Sequence, residues 1–331
     1  MCIYRRRRLR LVCRHWRNVI DERTPVRLGG AKTLAFVNHR PTGSAAYVLD
    51  DLVEGRVREL WSSASNPNSL YSHMRMVGTC NGLLCLYDES AGDIALLNPV
   101  TGETLDVPGP PSHRLRPQGA FCSAYYERFS FAYHVATERY KIVHLALNGH
   151  TRAMDVVQVL TLGADASWRN VPAPAGSSCC PLFGVVSDGQ ATYWISDDAN
   201  MLMSFDLTNE RVAPVRSLPA PGSKFGISCL RKVYGRPCVA ARTYVFLKGT
   251  ETEEMWLLER GGWLGRERWH RRFYVTGQVS IIPPLVQRVM GPHFVQGEHI
   301  LTCCPGSLYA HRFVSSVAWP QCRVVQIDEH W

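Results

Sequence analysis

The sequence predicts an all-β fold, a β-propeller of about six blades, preceded by a short N-terminal α-helix. Three observations predict it. Apolar residues recur at helical spacing only before residue 25, short β-type runs broken by turn residues fill the chain from about residue 30 onward, and comparable runs return at a coarse interval.

The composition supports a folded chain with a substantial core. Of 331 residues, 46% are hydrophobic and 20% charged, a mix that excludes wholesale disorder, collagen-like structure and a small disulfide scaffold. The longest apolar runs, such as "VVQVL" at 156–160, suit buried strands and fall far short of the roughly 18 residues a membrane-spanning helix needs. The net charge of +9 is local: nine arginines against Asp21 and Glu22 place +7 within residues 1–28, leaving +2 for the other 303. A body so near neutrality has no broad phosphate-binding face, so neither nucleic acid nor membrane is expected as a partner. In "RRRRLRLVCRHWR" arginines interrupt every apolar stretch, unlike a secretory signal, and a cytoplasmic or nuclear location is expected. The twelve Cys are scattered and without C-x-x-C spacing, which reads as reduced core thiols.

Taking the elements in order, Leu9, Val12, Cys13, Trp16, Val19 and Ile20 form one apolar stripe of a helix. Arg7, Arg10, Arg14, Arg17 and Asn18 form the other face, and Thr24 and Pro25 end it. A helix of about 15 residues is marginal alone, so the stripe must be covered, by this chain or by a partner. The Arg5 to Arg8 run has three readings: a solvated helix end, a nuclear-localisation or nucleic-acid patch, or a phospholipid contact. Strands are then predicted at 82–88, 94–99, 129–134, 140–147, 156–162, 191–196, 201–207, 243–247, 255–260 and 299–304. Turn chemistry joins many of them, as in "NPVTGE" (98–103), "HVATERY" (134–140), "SDGQA" (187–191) and "DLTNER" (206–211). Taking Leu49, Leu84, Tyr140, Tyr193, Val245 and Leu301 as landmarks gives gaps of 35, 56, 53, 52 and 56 residues, near the spacing of propeller blades with loop insertions. A large sandwich or two small barrels fit the repeated strand, turn and strand unit less well.

These motifs resemble a known family. "LRLVCRHWRNVI" (Leu9 to Ile20) is similar to the last helix of a plant F-box, L-x-x-V-C-[KR]-x-W-R-x-[LVI]-I, and only "MCIYRRRR" precedes it, so the resemblance implies a partial F-box over residues 1–24. "VGTCNGLLCLYD" with "LLNPVTGE", "FSFAYHVATERYKIVHL", "GVVSDGQATYWI" with "MSFDLTNER", and "EMWLLER" with "WHRRFYV" resemble, in order, the F-box-associated propeller domain, implied over 25–331. The resemblance implies a non-catalytic substrate-recognition subunit of an SCF-type E3 ubiquitin ligase. Leu9, Val12, Cys13, Trp16 and Ile20 would contact a Skp-type linker subunit, itself joined to a cullin, and the kelch-like propeller would hold a target protein. A binding-only propeller that has lost ligase coupling through its truncated F-box is the alternative.

Chemistry-bearing motifs are sparse. The chain has no G-x-S-x-G elbow, Walker loop, G-x-G-x-x-G or H-E-x-x-H. A propeller enzyme of the oxidase or glycosidase kind would need paired carboxylates or a metal site, and no cofactor or metal is expected. His134, His144 and His150 are the densest histidines and read as ordinary core or surface residues. Cys80 and Cys85 read as core packing, and the vicinal pairs Cys179/Cys180 and Cys303/Cys304 as thiols on opposite strand faces. Trp194, Trp256, Trp263 and Trp269 read as packing aromatics, and the Pro/Gly-rich stretches 108–119 and 171–181 as connectors that could also recognise a target.

Overall fold

Reversals in this chain are set by short polar side chains that satisfy the backbone. Asp206 Oδ1 accepts from the N–H groups of Thr208 (2.7 Å) and Asn209 (2.8 Å), after which Glu210 turns at a φ of 51°. Asp188 Oδ1 does the same for Gln190 and Ala191, and Asn98 Oδ1 for Val100. Asn81 and Gly82, at φ of 52° and 78°, form the two-residue turn whose twist matches a β-hairpin.

The computed structural model describes residues 33–39, 43–51, 56–63, 74–88, 91–111, 128–148, 151–163, 167–219, 225–233, 235–245, 250–259, 268–278, 290–296, 299–304, 307–312 and 322–325. The predicted N-terminal helix, and with it Leu9, Val12, Cys13, Trp16 and Ile20, lies outside the described residues.

Among the described residues six antiparallel sheets are formed, each from consecutive strands lying side by side. The first has β1 (Thr33–His39), β2 (Gly43–Asp51) and β3 (Arg56–Ser62); the second β4 (Met74–Cys80), β5 (Leu83–Asp88), β6 (Ile94–Leu97) and β7 (Thr104–Val107). The third has β8 (Phe129–His134), β9 (Arg139–Leu147), β10 (Met154–Thr161) and β11 (Trp168–Pro172). A fourth follows with β12 (Val186–Ser187), β13 (Ala191–Ile195), β14 (Met201–Asp206) and β15 (Arg211–Ser217). The fifth is β16 (Phe225–Val233), β17 (Arg236–Val245), β18 (Thr250–Glu259) and β19 (Arg268–Gln278), and the sixth β20 (Met290–Gln296), β21 (His299–Cys304), β22 (Ser307–Arg312) and β23 (Cys322–Val325). The first strand of each sheet touches that of the next from β4 through β8, β12 and β16 to β20. This is an all-β, propeller-like arrangement, in which the first strand of a sheet is innermost and the last outermost.

Strand parity explains why the predicted strands read as unbroken apolar runs. Successive side chains of a strand point to opposite faces, and here both faces meet another sheet. Leu84 and Leu86 pack with Ala46 toward the first sheet, while Cys85 and Tyr87 pack with Phe129, Phe131 and Ile142 of the third. Val143, Leu145, Val157 and Val159 face the fourth sheet, meeting Trp194 and Phe205. Tyr193, Ile195 and Leu202 then face the fifth, against Leu230, Val239 and Leu258. Trp194 is completely buried, which at about 25 cal/mol per Å² is worth roughly 4 to 6 kcal/mol. Outermost strands lose one of these partners, and β7 and β15 carry polar residues such as Thr104, Asp106, Arg211 and Arg216 at exposed positions. Pro214 is tolerated within β15 because that strand is the edge of its sheet.

The vicinal pair Cys179/Cys180 lies on no strand. It sits in the connector ahead of a 3-10 turn at Pro181–Phe183, with both thiols free and buried. Burial pushes the Cys179 and Cys85 thiols well above the ordinary thiol range, so both remain protonated packing groups.

Candidate functional site

Polar side chains join the third sheet to the fourth. At one end Lys141 of β9 reaches the β14–β15 turn, donating to the Leu207 carbonyl (2.6 Å) and to Glu210 (3.0 Å), and Arg169 of β11 donates to the same carboxylate (2.7 Å). His134 lies between two hydroxyls, Thr137 at 2.8 Å from Nδ1 and Thr208 at 3.0 Å from Nε2. Burial first, and the Lys141 cation second, hold its pKa below the ordinary imidazole value. Further along the joint, Ser130 Oγ is 2.7 Å from Ser187 Oγ, which is 2.6 Å from Thr192 Oγ1. At the opposite end Arg152 donates to Asp197 at 2.8 Å.

Of the densest histidines in the sequence, His134 and His144 each have separate side-chain partners. His144 stacks on Phe129 with ring centroids 4.4 Å apart, and its Nδ1 lies 2.9 Å from Gln158, which donates onward to Asn170. His150 lies outside the described residues, as do Trp263 and residues 112–119. Among the described residues no three His, Cys, Asp or Glu are disposed to hold a metal ion. Cys85 is a core residue and Cys80 is half-buried at the end of β4, its thiol pKa raised by burial. The stretch 171–181 begins as the end of β11 and continues as a connector, in which the Ser177 carbonyl accepts from the Met154 N–H and Ser178 bridges to Ala153.

Two tryptophans that open outermost strands reach back across a sheet boundary. Trp168, heading β11, donates its indole N–H to the Pro108 carbonyl (2.7 Å) just past β7. Trp269, second in β19, donates to the Ser217 carbonyl (2.8 Å) at the end of β15. The second contact floors a groove of about 740 Å³ between the outer strands of the fourth and fifth sheets. Met201, Leu218, Pro219, Trp256 and Trp269 supply its apolar wall; Ser217 and the exposed Arg216 and Arg268 complete the lining. Its volume is that of a site able to take a peptide side chain or small molecule. Among the described residues no acidic side chain lines it, and Arg268 stands opposite Glu259 in the β18–β19 register. Sequence reasoning placed Trp256 and Trp269 in packing and did not single out Arg216 or Arg268. The available signal was a Trp at the head of a strand with Arg beside it, as in "RWH".

The F-box associated beta propeller domain matches residues 56–303. An Arabidopsis thaliana F-box protein is 26% identical over 193 residues, 50% of this chain and 43% of that one. A second Arabidopsis thaliana chain with an F-box protein name is 24% identical over 219 residues, 62% of this chain and 44% of that one. The chain thus spans under half the length of these relatives. Among solved structures, Kluyveromyces lactis Hsv2 aligns over 86% of this chain and 92% of that one at 11% identity and a TM-score of 0.45. With most of its length matched, from β3 through the second to fifth sheets and into β21, the chain belongs to the F-box associated β-propeller domain family.

Proposed function

We propose that this chain is a non-catalytic substrate-recognition subunit of an SCF-type ubiquitin ligase, acting in the cytoplasm or nucleus, whose propeller holds a target protein. The match of residues 56–303 to the F-box associated propeller domain carries this reading, and the likeness of "LRLVCRHWRNVI" to the closing helix of an F-box extends it to ligase coupling. Among the described residues, Lys141, His134, Ser130 and Ser187 are taken up in contacts that hold the third and fourth sheets together. In this reading the helix over Leu9 to Ile20 contacts a Skp-type linker, with Trp16 as the aromatic anchor, and the six sheets close as six blades of one ring. The consecutive contacts of innermost strands from β4 to β20 support that closure.

The test is capture of a purified Skp-type linker, with its cullin, by the full chain. Capture is expected, weakened by roughly 2 kcal/mol in Trp16→Ala and unchanged in Arg14→Ala on the opposite helical face. Absence of capture, or capture indifferent to Trp16, removes ligase coupling and leaves a binding-only propeller.

A further inference from the structure

We propose that Asn81-Gly82, the turn between β4 and β5, is a site of spontaneous deamidation and isomerisation that the folded hairpin holds closed and that reacts only when the hairpin opens. Asn-Gly occurs twice in the sequence, at 81–82 and 148–149, and at 81–82 both residues are described. The chemistry needs only water. The Gly82 main-chain nitrogen gives up its proton to hydroxide and attacks the Asn81 side-chain carbonyl carbon; an N–C bond forms, the bond to the side-chain nitrogen breaks, and that nitrogen takes a proton from water and leaves as ammonia. A second water opens the resulting five-membered imide at one carbonyl or the other, which yields Asp or an isoaspartyl link whose main chain runs through the side-chain carbon. Gly at the following position eases the step, because no Cβ shields the attacking nitrogen. Asn81 is exposed, so water and hydroxide reach it.

The geometry of the turn withholds that attack. Asn81 has a φ of 52° and Gly82 one of 78°, the left-handed pair of a two-residue hairpin turn. In that region ψ lies near about +47°, which sets the Gly82 nitrogen on the far side of the Cα–C bond from the Asn81 Cβ. Ring closure requires the two on the same side, so the peptide unit must swing by roughly half a turn. Cys80 and Leu83 are paired across the turn, followed by Thr79 with Leu84, and the swing pulls this end of the ladder apart. The side-chain amide is held as well, since Asn81 Nδ2 donates to the hydroxyl of Tyr140, a residue of β9 in the third sheet, at 3.3 Å. Modification therefore waits on local opening. Once made, the isoaspartyl link does not fit back. It adds a main-chain carbon to a turn that closes with two residues, just ahead of Leu84, Cys85, Leu86 and Tyr87, all completely buried. Side chains alternate between strand faces, so a displaced register turns that set the wrong way.

The test follows Asn81 in the full chain by peptide mass spectrometry, with chromatography separating Asp from isoaspartyl products, in mildly alkaline buffer and in guanidinium sufficient to unfold the protein. Conversion at Asn81 is expected in the unfolded chain, in both product forms, and about tenfold or more slower in the folded one, the ratio reporting how seldom the hairpin opens. Gly82→Ala should slow the reaction of the unfolded chain, and Tyr140→Phe should leave it unchanged. In the folded chain Tyr140→Phe should quicken conversion about threefold, in step with faster amide exchange at Leu83, and thermal melting shows that the variant is folded. In the unmodified sequence, sub-denaturing guanidinium should raise the conversion rate and the Leu83 exchange rate together. Folded chain enriched in the isoaspartyl form should melt at a lower temperature than fresh chain. Equal rates in the folded and unfolded chains, no isoaspartyl product on unfolding, or conversion that ignores Tyr140 and does not follow Leu83 exchange overturns the assignment.

Discussion

Lys141 is a cation placed almost wholly inside the molecule, and its two contacts, with the Leu207 carbonyl and Glu210, answer the cost of its desolvation. Lys141→Met keeps the length of the side chain but strands those acceptors, and a loss of about 3 kcal/mol is expected in urea denaturation. His134 makes the joint pH-sensitive. Its folded pKa lies below the ordinary imidazole value of about 6.5, so above that pH the ring is neutral folded or unfolded and contributes its full stability. As pH falls below it the unfolded chain takes up the proton first, and stability is lost down through the folded value. Urea midpoints measured from pH 8 to pH 5 should therefore decline more in the unmodified protein than in His134→Gln. Neither role was legible in sequence, where His134 and Lys141 sit in "FAYHVATERYKIV" like any polar residue in a strand pair. Thr208, Leu207 and Glu210, their partners on the far side of a sheet boundary, are more than 60 positions away.

Strands differed greatly in how much of them could be read. The inner and middle strands β5, β8, β9, β10, β13 and β14 fall at or within two residues of prediction, because burial makes them largely apolar runs, and β21 also falls where predicted. Outermost strands such as β7, β11 and β15 went unseen, since one exposed face fills them with Thr, Asp, Arg and Pro, and β12 is only two residues long. The groove was hidden for the same reason, being built largely from such edges. Close packing between elements was equally silent: Gly109 follows β7 and lies so near the β5–β6 turn that a Cβ there would come within 1.9 Å of the Gly92 carbonyl oxygen. Gly109→Ala should cost about 3 kcal/mol or shift that turn, visible as a lower melting temperature. Trp168→Phe, which keeps the ring but deletes the bond to Pro108, should cost about 1 kcal/mol by the same measurement.

At the scale of the molecule, the repeat was readable where the boundaries were not. Leu49, Leu84, Tyr140, Tyr193, Val245 and Leu301 fall on the second strands of the six successive sheets, so the same place in the repeat recurs. Closure of those sheets into a ring has its own test. Leu301→Pro should break the hydrogen-bond ladder of the sixth sheet, and in a closed ring amide exchange should quicken in β1–β3 as well as in β16–β19, while β8–β11 keep their protection. Exchange that quickens in the fifth sheet alone would mean an open arc. The backward reach of Trp168 and Trp269 has a further consequence during synthesis. The fourth sheet is complete at Ser217, yet the indole that fastens its outer strand lies 52 residues downstream, and the second sheet waits 60 residues for Trp168. At about 5 to 20 residues per second, each finished sheet leaves the ribosome with a bare outer strand for roughly 3 to 12 seconds. Through that interval the nascent chain presents an unlatched β-edge to chaperones and to other emerging chains, so the rate of translation through the next sheet sets how long each remains open to mispairing.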